Sequence, residues 1–305
     1  MKHLLSLADC SREQLAGLLA LAAEVKAEPA RYREALAGKT LAMIFQKPST
    51  RTRVSFEVGM YQLGGHGLYL SGRDMQLGRG ESIPDTARVL SRYVDGILAR
   101  VFAHSDVEAL SQGTVPVING LSDLLHPCQI LADFLTLQEH KGQLDGLVLA
   151  YVGDGNNVAH SLINGGALAG VAIRVATPAG YEPDPAIVAA ARSAGGTVEV
   201  MRDPAAAVDG ADAIYTDVWA SMGQEDEHAA RLRTFSDYQV NEELFGKAKS
   251  DAIFLHCLPA HRGEEVTDGV VDHPRSVVFD EAENRLHTQK AVLLHLMAKT
   301  PLPAH

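Results

Sequence analysis

Hydroxyl and guanidinium groups are concentrated at residues 48–53, between a predicted strand, Thr40–Phe45, and a predicted helix that ends near Gly64. Free backbone N–H groups and the positive end of the helix dipole gather at a helix start, so an anion is favoured there. The Arg51 guanidinium adds a planar fork of donors that suits phosphate oxygens. A serine N-cap followed by a solvated first turn explains the same pattern equally well. The candidate phosphate ligands are Ser49, Thr50, Arg51 and Thr52.

Other polar groups could act on a phosphate or a carbonyl group. Arg100 follows a predicted strand at 96–99, and Arg285 follows another at 277–279, although a surface arginine would be equally ordinary. His126 and Gln129 lie one helical turn apart, with a proline suited to the first turn between them. An imidazole and an amide could therefore point at one carbonyl group.

Amide and carboxylate groups after later strands suit an amino-acid ligand. Asn156 and Asn157 follow a strand and two glycines, a pattern that also invites a dinucleotide interpretation. That interpretation is weak, because a third glycine is missing and the next strand lacks the acidic residue that would hold a ribose. Asp217 and Ser221 offer a carboxylate and a hydroxyl for an ammonium and a carboxylate group, although a helix-capping aspartate is the alternative.

The cysteines and histidines supply a thiol but no convincing metal site. Cys257 ends a predicted strand, where a buried and inert thiol is the more usual explanation. His126 with Cys128, or the group of His256, Cys257 and His261, would need more ligands at suitable spacing to bind zinc. We therefore predict no metal.

Short apolar runs alternate with helical or loop segments along the chain. One series of predicted strands precedes a helix at 129–140 and a second follows it, so we expect two α/β units joined by a helix. Such alternation predicts parallel sheets, whose ligands lie beyond the carboxyl ends of the strands. A polar loop at 71–82 with three glycines is too long for a mere turn. The predicted strands are 41–45, 67–70, 96–99 and 115–118, then 147–152, 172–176, 197–201, 213–216 and 252–257.

The overall composition limits the class of protein. The 305 residues, 46% apolar and 21% charged, suffice for two globular domains. A formal charge of -11 without any Lys/Arg run argues against a nucleic-acid surface, so a phosphate site must be locally basic.

Three cysteines without disulfide spacing fit a reducing compartment, and we expect a cytoplasmic protein. Neither a signal peptide nor an apolar stretch of about 18 residues is recognisable, so no membrane association is predicted.

Seven motifs follow one another along essentially the whole chain. They are Ser49-Thr-Arg-Thr-Arg53, Asp74-Met-Gln-Leu-Gly-Arg-Gly-Glu-Ser82, His126-Pro-Cys-Gln129, Gly153-Asp-Gly-Asn-Asn157, Asp217-Val-Trp-Ala-Ser-Met-Gly223, His256-Cys-Leu-Pro259 and Glu283-Asn-Arg285. Together and in this order they resemble the aspartate/ornithine carbamoyltransferase family, specifically its ornithine branch. The first and fourth motifs are weakly specific alone, whereas Ser-Met-Gly and His-Cys-Leu-Pro mark the ornithine branch strongly.

The resemblance and the strand pattern together predict two doubly wound parallel-sheet α/β domains flanking an active-site cleft. Residues 1–140 would bind carbamoyl phosphate, with a C-terminal helix at 287–305 packing back on them, and residues 141–286 would bind ornithine. The resemblance also implies a homotrimer or a multiple of trimers, without a metal or other cofactor in the chemistry.

The implied reaction transfers the carbamoyl group of carbamoyl phosphate to the δ-amine of L-ornithine, giving L-citrulline and phosphate. Arg100, His126 and Thr52 would stabilise the developing charge on the carbonyl oxygen. Cys257 beside Asp217, or the leaving phosphate, would accept the amine proton. The implied carbamoyl phosphate ligands are Ser49, Thr50, Arg51, Thr52, Gln76 of a neighbouring subunit, Arg100, His126, Gln129, Cys257, Leu258 and Arg285. The implied ornithine ligands are Asn157, Asp217, Ser221 and Met222.

Three other functions compete with this prediction. A nucleotide-dependent oxidoreductase would need the missing ribose acid, and a non-catalytic binding protein would not call for a thiol, an imidazole and several cations in one site. The third is a carbamoyltransferase for a related amine, either putrescine or an N-acyl-ornithine. Putrescine lacks an α-carboxylate and the acyl compounds lack a charged α-amine, so Asp217 and Ser221 favour plain ornithine.

Overall fold

The computed structural model describes residues 1–73, 75, 80–220 and 227–303 of the chain. These residues form two compact units, one from Met1–Leu135 and Glu283–His305 and the other from Thr136–Ala282. The chain leaves the first unit within a helix at Pro127–Lys141 and re-enters it within a helix at Val278–Met297.

The first unit is built on a four-stranded parallel sheet with the strand order β2-β1-β3-β4. Its second strand in space, β1, is buried over all but its first residue, as expected for an apolar strand inside a parallel sheet. The strands are β1 (Thr40–Phe45), β2 (His66–Ser71), β3 (Gly96–Arg100) and β4 (Val117–Leu121). The helices are α1 (Arg12–Ala27), α2 (Thr50–Gln62), α3 (Ile83–Leu90), α4 (His104–Leu110) and α5 (Pro127–Lys141).

The second unit contains a five-stranded parallel sheet with the strand order β7-β6-β5-β8-β9. Aromatic side chains fill much of its core, and the rings of Trp219 and Phe235 stack with centroids 5.8 Å apart. The strands are β5 (Val148–Val152), β6 (Ala172–Ala176), β7 (Val198–Met201), β8 (Ala213–Thr216) and β9 (Ile253–His256). The helices are α6 (Asn157–Ala169), α7 (Pro185–Ser193), α8 (Pro204–Val208), α9 (His228–Thr234), α10 (Glu242–Phe245) and α11 (Asp268–Val271). The predicted pair of parallel α/β sheets is confirmed.

The strand predicted at 277–279 is wrong, because these residues lead directly into the long helix α12 (Val278–Met297). A short apolar run cannot by itself distinguish a buried strand from the start of a helix. Asp280 and Glu281 in the first turn favour the helix, since acidic groups there interact well with its dipole. Arg285 therefore lies inside a helix rather than after a strand. The predicted bounds of the C-terminal helix, 287–305, are wrong for the same reason, because α12 begins at Val278, and it ends at Met297.

Apolar side chains are exposed along one face of α2. Val54, Val58 and Tyr61 are 51%, 36% and 81% exposed, whereas Phe56 and Met60 on the same helix are buried. Contiguous exposed apolar groups of this kind often mark an interaction surface.

Among the described residues, no helix has both the length and the apolarity that crossing a membrane would require.

Candidate active site

The register of the first sheet brings the predicted anion site and Arg100 to one edge. Phe45, the last residue of β1, lies opposite Ser71 of β2 on one side and Arg100 of β3 on the other. All three strands run in the same direction, so the residues that follow β1 lie beside the end of β3. Arg100 is only 6% exposed, which contradicts a solvated surface arginine.

The start of α2 has the cap that its sequence predicts. Ser49 is the N-cap, and its Oγ accepts a hydrogen bond of 3.2 Å from the backbone N–H of Thr52. Thr50 and Arg51 occupy the first helical positions, where N–H groups without an intrahelical partner point out of the helix. The serine therefore both caps the helix and stands beside a site where an anion is favoured, so the two sequence interpretations are compatible.

Arg285 connects three elements of the first unit. Its Nη1 donates to Oε1 of Gln129 on α5 at 2.6 Å, and its Nη2 donates to Oγ1 of Thr52 on α2 at 3.1 Å. Gln129 in turn donates through Nε2 to Oδ1 of Asp133 at 2.8 Å. All four side chains are at least 97% buried, so the guanidinium group is held in a fixed orientation.

Electrostatics make His126 a neutral imidazole within this group. It lies directly before α5 and is 5% exposed. Burial, followed by the positive charges of Arg285, Arg100 and Arg51, holds the pKa of His126 well below its usual range. The same effect shows that three guanidinium groups are close enough to act on one imidazole, and such a concentration of positive charge suits a phosphate dianion.

The neighbouring thiol on α5 has no comparable role. Cys128 is fully buried, its Sγ contacts the backbone oxygen of Asn119 at 3.3 Å, and burial raises its pKa to about 12. It stays protonated and packs as a small apolar residue.

In the second unit, three groups converge on the carboxylate of Asp217. Oδ1 accepts from the Cys257 thiol at 3.0 Å and from the backbone N–H of Val218 at 2.8 Å. Oδ2 accepts from Nδ2 of Asn156 at 2.9 Å. Asp217 follows β8 and Cys257 follows β9, and these strands are paired so that Thr216 lies opposite His256. The prediction of a buried thiol is therefore wrong for Cys257, which is partly exposed and contacts a carboxylate.

Asn156 is held by the start of α6. Its Oδ1 accepts from the backbone N–H groups of Val158 and Ala159, at 2.9 and 3.3 Å, and from the Tyr151 hydroxyl at 3.2 Å. Burial and the nearby Asp217 charge raise the pKa of Tyr151 well above its usual range, so the phenol remains a donor. Asn157, the predicted ornithine ligand, is the first residue of α6 and is partly exposed.

The glycines before α6 are explained by backbone packing. A Cβ on Gly155 would lie 2.3 Å from the backbone nitrogen of Pro183, and Gly153 has a φ of 145°. Neither glycine requires a pyrophosphate to explain it. This removes the main support for the dinucleotide interpretation.

A buried histidine and glutamate support the segment that carries Cys257. Nδ1 of His256 accepts from the backbone N–H of Leu258 at 2.9 Å, so the neutral ring carries its proton on Nε2, 3.1 Å from Oε1 of Glu265. The same Glu265 oxygen accepts from the backbone N–H of His261 at 2.6 Å. Leu258 has a φ of 55°, an unusual value for a non-glycine residue, and these hydrogen bonds hold it there.

The ligand atoms of Asp217, His256 and Cys257 lie within 4.8 Å of one another, as metal ligands would. Both ring nitrogens of His256 are already engaged, by Leu258 and Glu265. A metal at this position would have to displace one of them, so the donor set does not favour a metal here.

Three of the predicted site residues, Gln76, Ser221 and Met222, lie outside the described residues. Among the others, the structure groups Thr52, Arg100, His126, Gln129 and Arg285 in the first unit and Asp217 with Cys257 in the second. Leu258 directly follows Cys257 in the same turn. Glu265 is a supporting residue that none of the seven sequence motifs includes. Only its distance of nine positions from His256 within a polar loop could have suggested it.

Two parallel sheets define a two-domain α/β protein, with a buried group of arginines beside His126 in one unit and a carboxylate beside a thiol in the other. Residues 2–139 match the carbamoyl-P binding domain, and residues 145–296 the Asp/Orn binding domain, of the aspartate/ornithine carbamoyltransferases. The chain belongs to the aspartate/ornithine carbamoyltransferase family.

Individual relatives extend over nearly the whole chain. It is 60% identical over 303 residues to the ornithine carbamoyltransferase of Thermococcus kodakarensis, covering 97% of this chain and 96% of the relative. It is 58% identical over 306 residues to an anabolic ornithine carbamoyltransferase of Pyrococcus furiosus, covering 97% of this chain and 96% of that protein. A solved structure of ornithine carbamoyltransferase from Pyrococcus furiosus superimposes with a TM-score of 0.94 at 57% identity, covering 98% of both chains.

Proposed function

We propose that this chain is an enzyme that transfers the carbamoyl group of carbamoyl phosphate to the δ-amine of L-ornithine, giving L-citrulline and phosphate. The observation that carries the proposal is the group of three arginines around a neutral His126, because it provides a phosphate site next to a carbonyl-binding imidazole. Relatives named ornithine carbamoyltransferase support ornithine as the acceptor. Among the described residues of the two sites, none favours putrescine or an N-acyl-ornithine.

Carbamoyl phosphate binding is assigned to residues 1–140 together with the C-terminal segment that begins at Glu283 and belongs to the same unit. The start of α2 supplies Ser49, Thr50, Arg51 and Thr52 to the phosphate, and Arg100 and Arg285 complete the cationic shell. His126 and Gln129 bind the carbamoyl end. Charge-assisted donors and helix N–H groups together favour a dianion over a neutral ligand.

Ornithine binding is assigned to residues 141–282, within the second unit. Asp217 binds the α-ammonium group, because its carboxylate is fixed by an amide, a backbone N–H and a thiol that all act as donors. Asn157, Ser221 and Met222 are assigned to the remainder of the amino acid. Cys257 and Leu258 adjoin the carbamoyl group.

The chemistry follows from these groups. A neutral δ-amine attacks the carbonyl carbon, the carbonyl oxygen gains negative charge and phosphate leaves. Thr52, Arg100 and His126 donate to that oxygen, and a single donor of this kind contributes about 3–4 kcal/mol in other enzymes. The low pKa of His126 means that its N–H donates without the ring carrying a charge of its own.

The attacking amine must first lose a proton. A lysine-like amine titrates near pH 10.4 in water, so the site must favour the neutral form by desolvation or by a local acceptor. The Cys257–Asp217 pair and the leaving phosphate are the two candidate acceptors. Covalent catalysis by the thiol is unnecessary, because carbamoyl phosphate is already activated.

We further propose a homotrimer, or a multiple of trimers, in which Gln76 contributes to the phosphate site of a neighbouring subunit. The exposed apolar face of α2 supports a subunit interface. Mixing inactive Gln76→Ala subunits with inactive Arg51→Ala subunits should restore some wild-type sites, and hence partial activity. Verified hybrids without activity above their parents would place Gln76 outside a shared site.

The cellular setting follows from the same comparisons. The relative from Pyrococcus furiosus is named as anabolic, and we assign this chain to citrulline formation for arginine biosynthesis. All three cysteines are free, which supports the reducing environment of the cytoplasm.

An assay of phosphate release with a panel of amines tests the proposed function, with citrulline measured as the product from ornithine. With saturating carbamoyl phosphate, kcat/KM should be far higher for L-ornithine than for putrescine, N-acetylornithine, N-succinylornithine or aspartate. Asp217→Asn should reduce the preference for ornithine over N-acetylornithine, because the partner of the α-ammonium loses its charge and only ornithine carries that ammonium group. A comparable kcat/KM for putrescine in the unmodified enzyme would overturn the assignment.

A further inference from the structure

Two histidines and a glutamate that the proposed reaction does not use form a compact cluster in the second unit. Nε2 of His228 lies 3.0 Å from Oε2 of Glu264, and Nδ1 of His261 lies 3.6 Å from the same oxygen. The three ligand atoms are all within 4.8 Å of one another. Two ligands bound to one tetrahedral zinc ion at 2.0–2.2 Å lie about 3.3–3.6 Å apart, so these separations are close to those of a bound site.

Two of the three groups lie on a rigid turn. The backbone N–H of Glu264 donates to the oxygen of His261 at 2.9 Å, and the N–H of Gly263 donates to the oxygen of Val266 at 2.8 Å. The Gln239 amide bridges the backbone oxygens of Gly263 and Glu264, at 3.0 and 2.8 Å. His261 and Glu264 are therefore positioned by the backbone before any ligand binds, which lowers the entropic cost of binding.

The third group comes from a separate element. His228 is the first residue of α9, and that helix is anchored by Arg231, whose Nη1 donates to Oδ2 of Asp154 at 2.7 Å and to the oxygen of Trp219 at 2.8 Å. An ion bound to His228, His261 and Glu264 would connect α9 to the turn after β9. The three side chains are 40%, 45% and 29% exposed, so solvent and a fourth ligand can reach the ion.

The surrounding charges permit a cation. Arg262, the nearest residue in sequence with a positive charge, is engaged by Asp268 and by both oxygens of Asp272. Two imidazoles and one carboxylate are the donor set of several zinc sites that leave one position open, whereas magnesium and calcium prefer oxygen ligands alone. We propose that His228, His261 and Glu264 form a binding site for a divalent transition-metal ion, best suited to zinc, separate from the Asp217 and Cys257 site.

The test must separate this site from the thiol of Cys257, which could also bind zinc. Zinc binding is therefore measured by calorimetry on the full-length Cys257→Ser protein, where one ion per chain is expected. Adding His228→Ala, His261→Ala or Glu264→Gln should weaken that binding by about tenfold or more, since losing even an outer partner of a metal ligand costs about that much. Zinc should also raise the melting temperature of the Cys257→Ser parent but not of these variants.

His140→Ala is the matched control. His140 forms a similar pair with Asp280, at 2.9 Å, but the described residues offer that pair no third ligand. Its removal should leave zinc affinity unchanged. Cobalt bound to the Cys257→Ser parent should show ligand-field bands that disappear in His261→Ala. The proposal is overturned if the parent binds no zinc, or if folded His228→Ala, His261→Ala and Glu264→Gln variants retain the parental affinity.

Discussion

The thiol of Cys257 lies 3.0 Å from Oδ1 of Asp217, although forty positions separate the two residues in the sequence. Each follows directly on one of two paired parallel strands, and the pairing of Thr216 with His256 sets their distance. The carboxylate that is assigned to the ornithine ammonium thus also contacts the group that could accept the amine proton. Changes at Cys257 should consequently affect ornithine before they affect carbamoyl phosphate.

Replacing Cys257 should weaken ornithine binding and turnover without abolishing either. Cys257→Ser keeps a donor to Asp217, so its kcat/KM for ornithine should exceed that of Cys257→Ala. Steady-state kinetics with both substrates varied would measure the difference. A carbamoylated Cys257 trapped during turnover would contradict a thiol that only orients or accepts a proton.

Glu265 should act as a positioning residue for the segment that carries Cys257. Glu265→Ala removes the acceptor shared by the His256 ring and the His261 backbone, so kcat/KM for ornithine should fall. Leaving such buried donors unpaired costs about 1–3 kcal/mol, and the melting temperature should fall as well. Carbamoyl phosphate affinity should change less, because the ligands assigned to its phosphate group lie in the first unit and are not affected.

Glu265→Gln is the conservative partner of that variant. Its amide oxygen can still accept from both donors, so it should recover most of the ornithine kinetics. A purely structural role would lower the stability of both variants without the selective change in kcat/KM for ornithine.

Arg51→Ala should weaken carbamoyl phosphate binding before ornithine binding. The change removes a charge-assisted phosphate contact worth about 1.5–3 kcal/mol, or roughly 10- to 160-fold in affinity. Arg53→Ala, two positions further along α2, is the control, because Arg53 is paired with Glu57 and stacks over Tyr69. Equilibrium binding of carbamoyl phosphate distinguishes them, and a main effect of Arg51→Ala on ornithine affinity would refute the division of the site.

His126 should make the stability of the protein depend on pH on the acid side. Its pKa is lowered in the folded state by burial and three arginines, so the unfolded chain binds a proton that the folded chain does not as the pH falls below about 6.5. The contribution of neutral His126 to the free energy of unfolding is fully present above that pH and is lost progressively below it. The slope for one group is at most about 1.4 kcal/mol per pH unit.

Denaturant unfolding of the unmodified protein and of His126→Gln, from pH 7.5 to 5, measures this contribution. Below pH 6.5, the unfolding free energy of the unmodified protein should fall relative to that of His126→Gln by up to about 1.4 kcal/mol per pH unit. Contributions from other histidines cancel in this comparison. Parallel pH profiles for the two proteins would show that His126 is not held neutral.

The sequence alone determined the local features of the fold. Ser49 caps α2 because a serine oxygen and the N–H of Thr52 are three residues apart, and such short-range geometry needs no tertiary contact. The strands 172–176 and 213–216 were predicted at their observed bounds, since each is a short apolar run between turn residues. The order of parallel strands also indicated which residues follow strand ends, and that was enough to single out Arg100, Asp217 and Cys257.

Only the tertiary structure decided how these residues meet. Arg285 reaches Gln129 and Thr52 because α12 is continuous through position 285, whereas the sequence predicted a strand at 277–279 with Arg285 after it. Glu265 lies nine positions from His256 in a loop that matches no motif, and His228 meets His261 and Glu264 from a separate helix, so these contacts depend on the folded chain. Short-range hydrogen bonding is encoded within a few residues, but the distances between functional groups are set by strand pairing and packing between segments far apart in the chain.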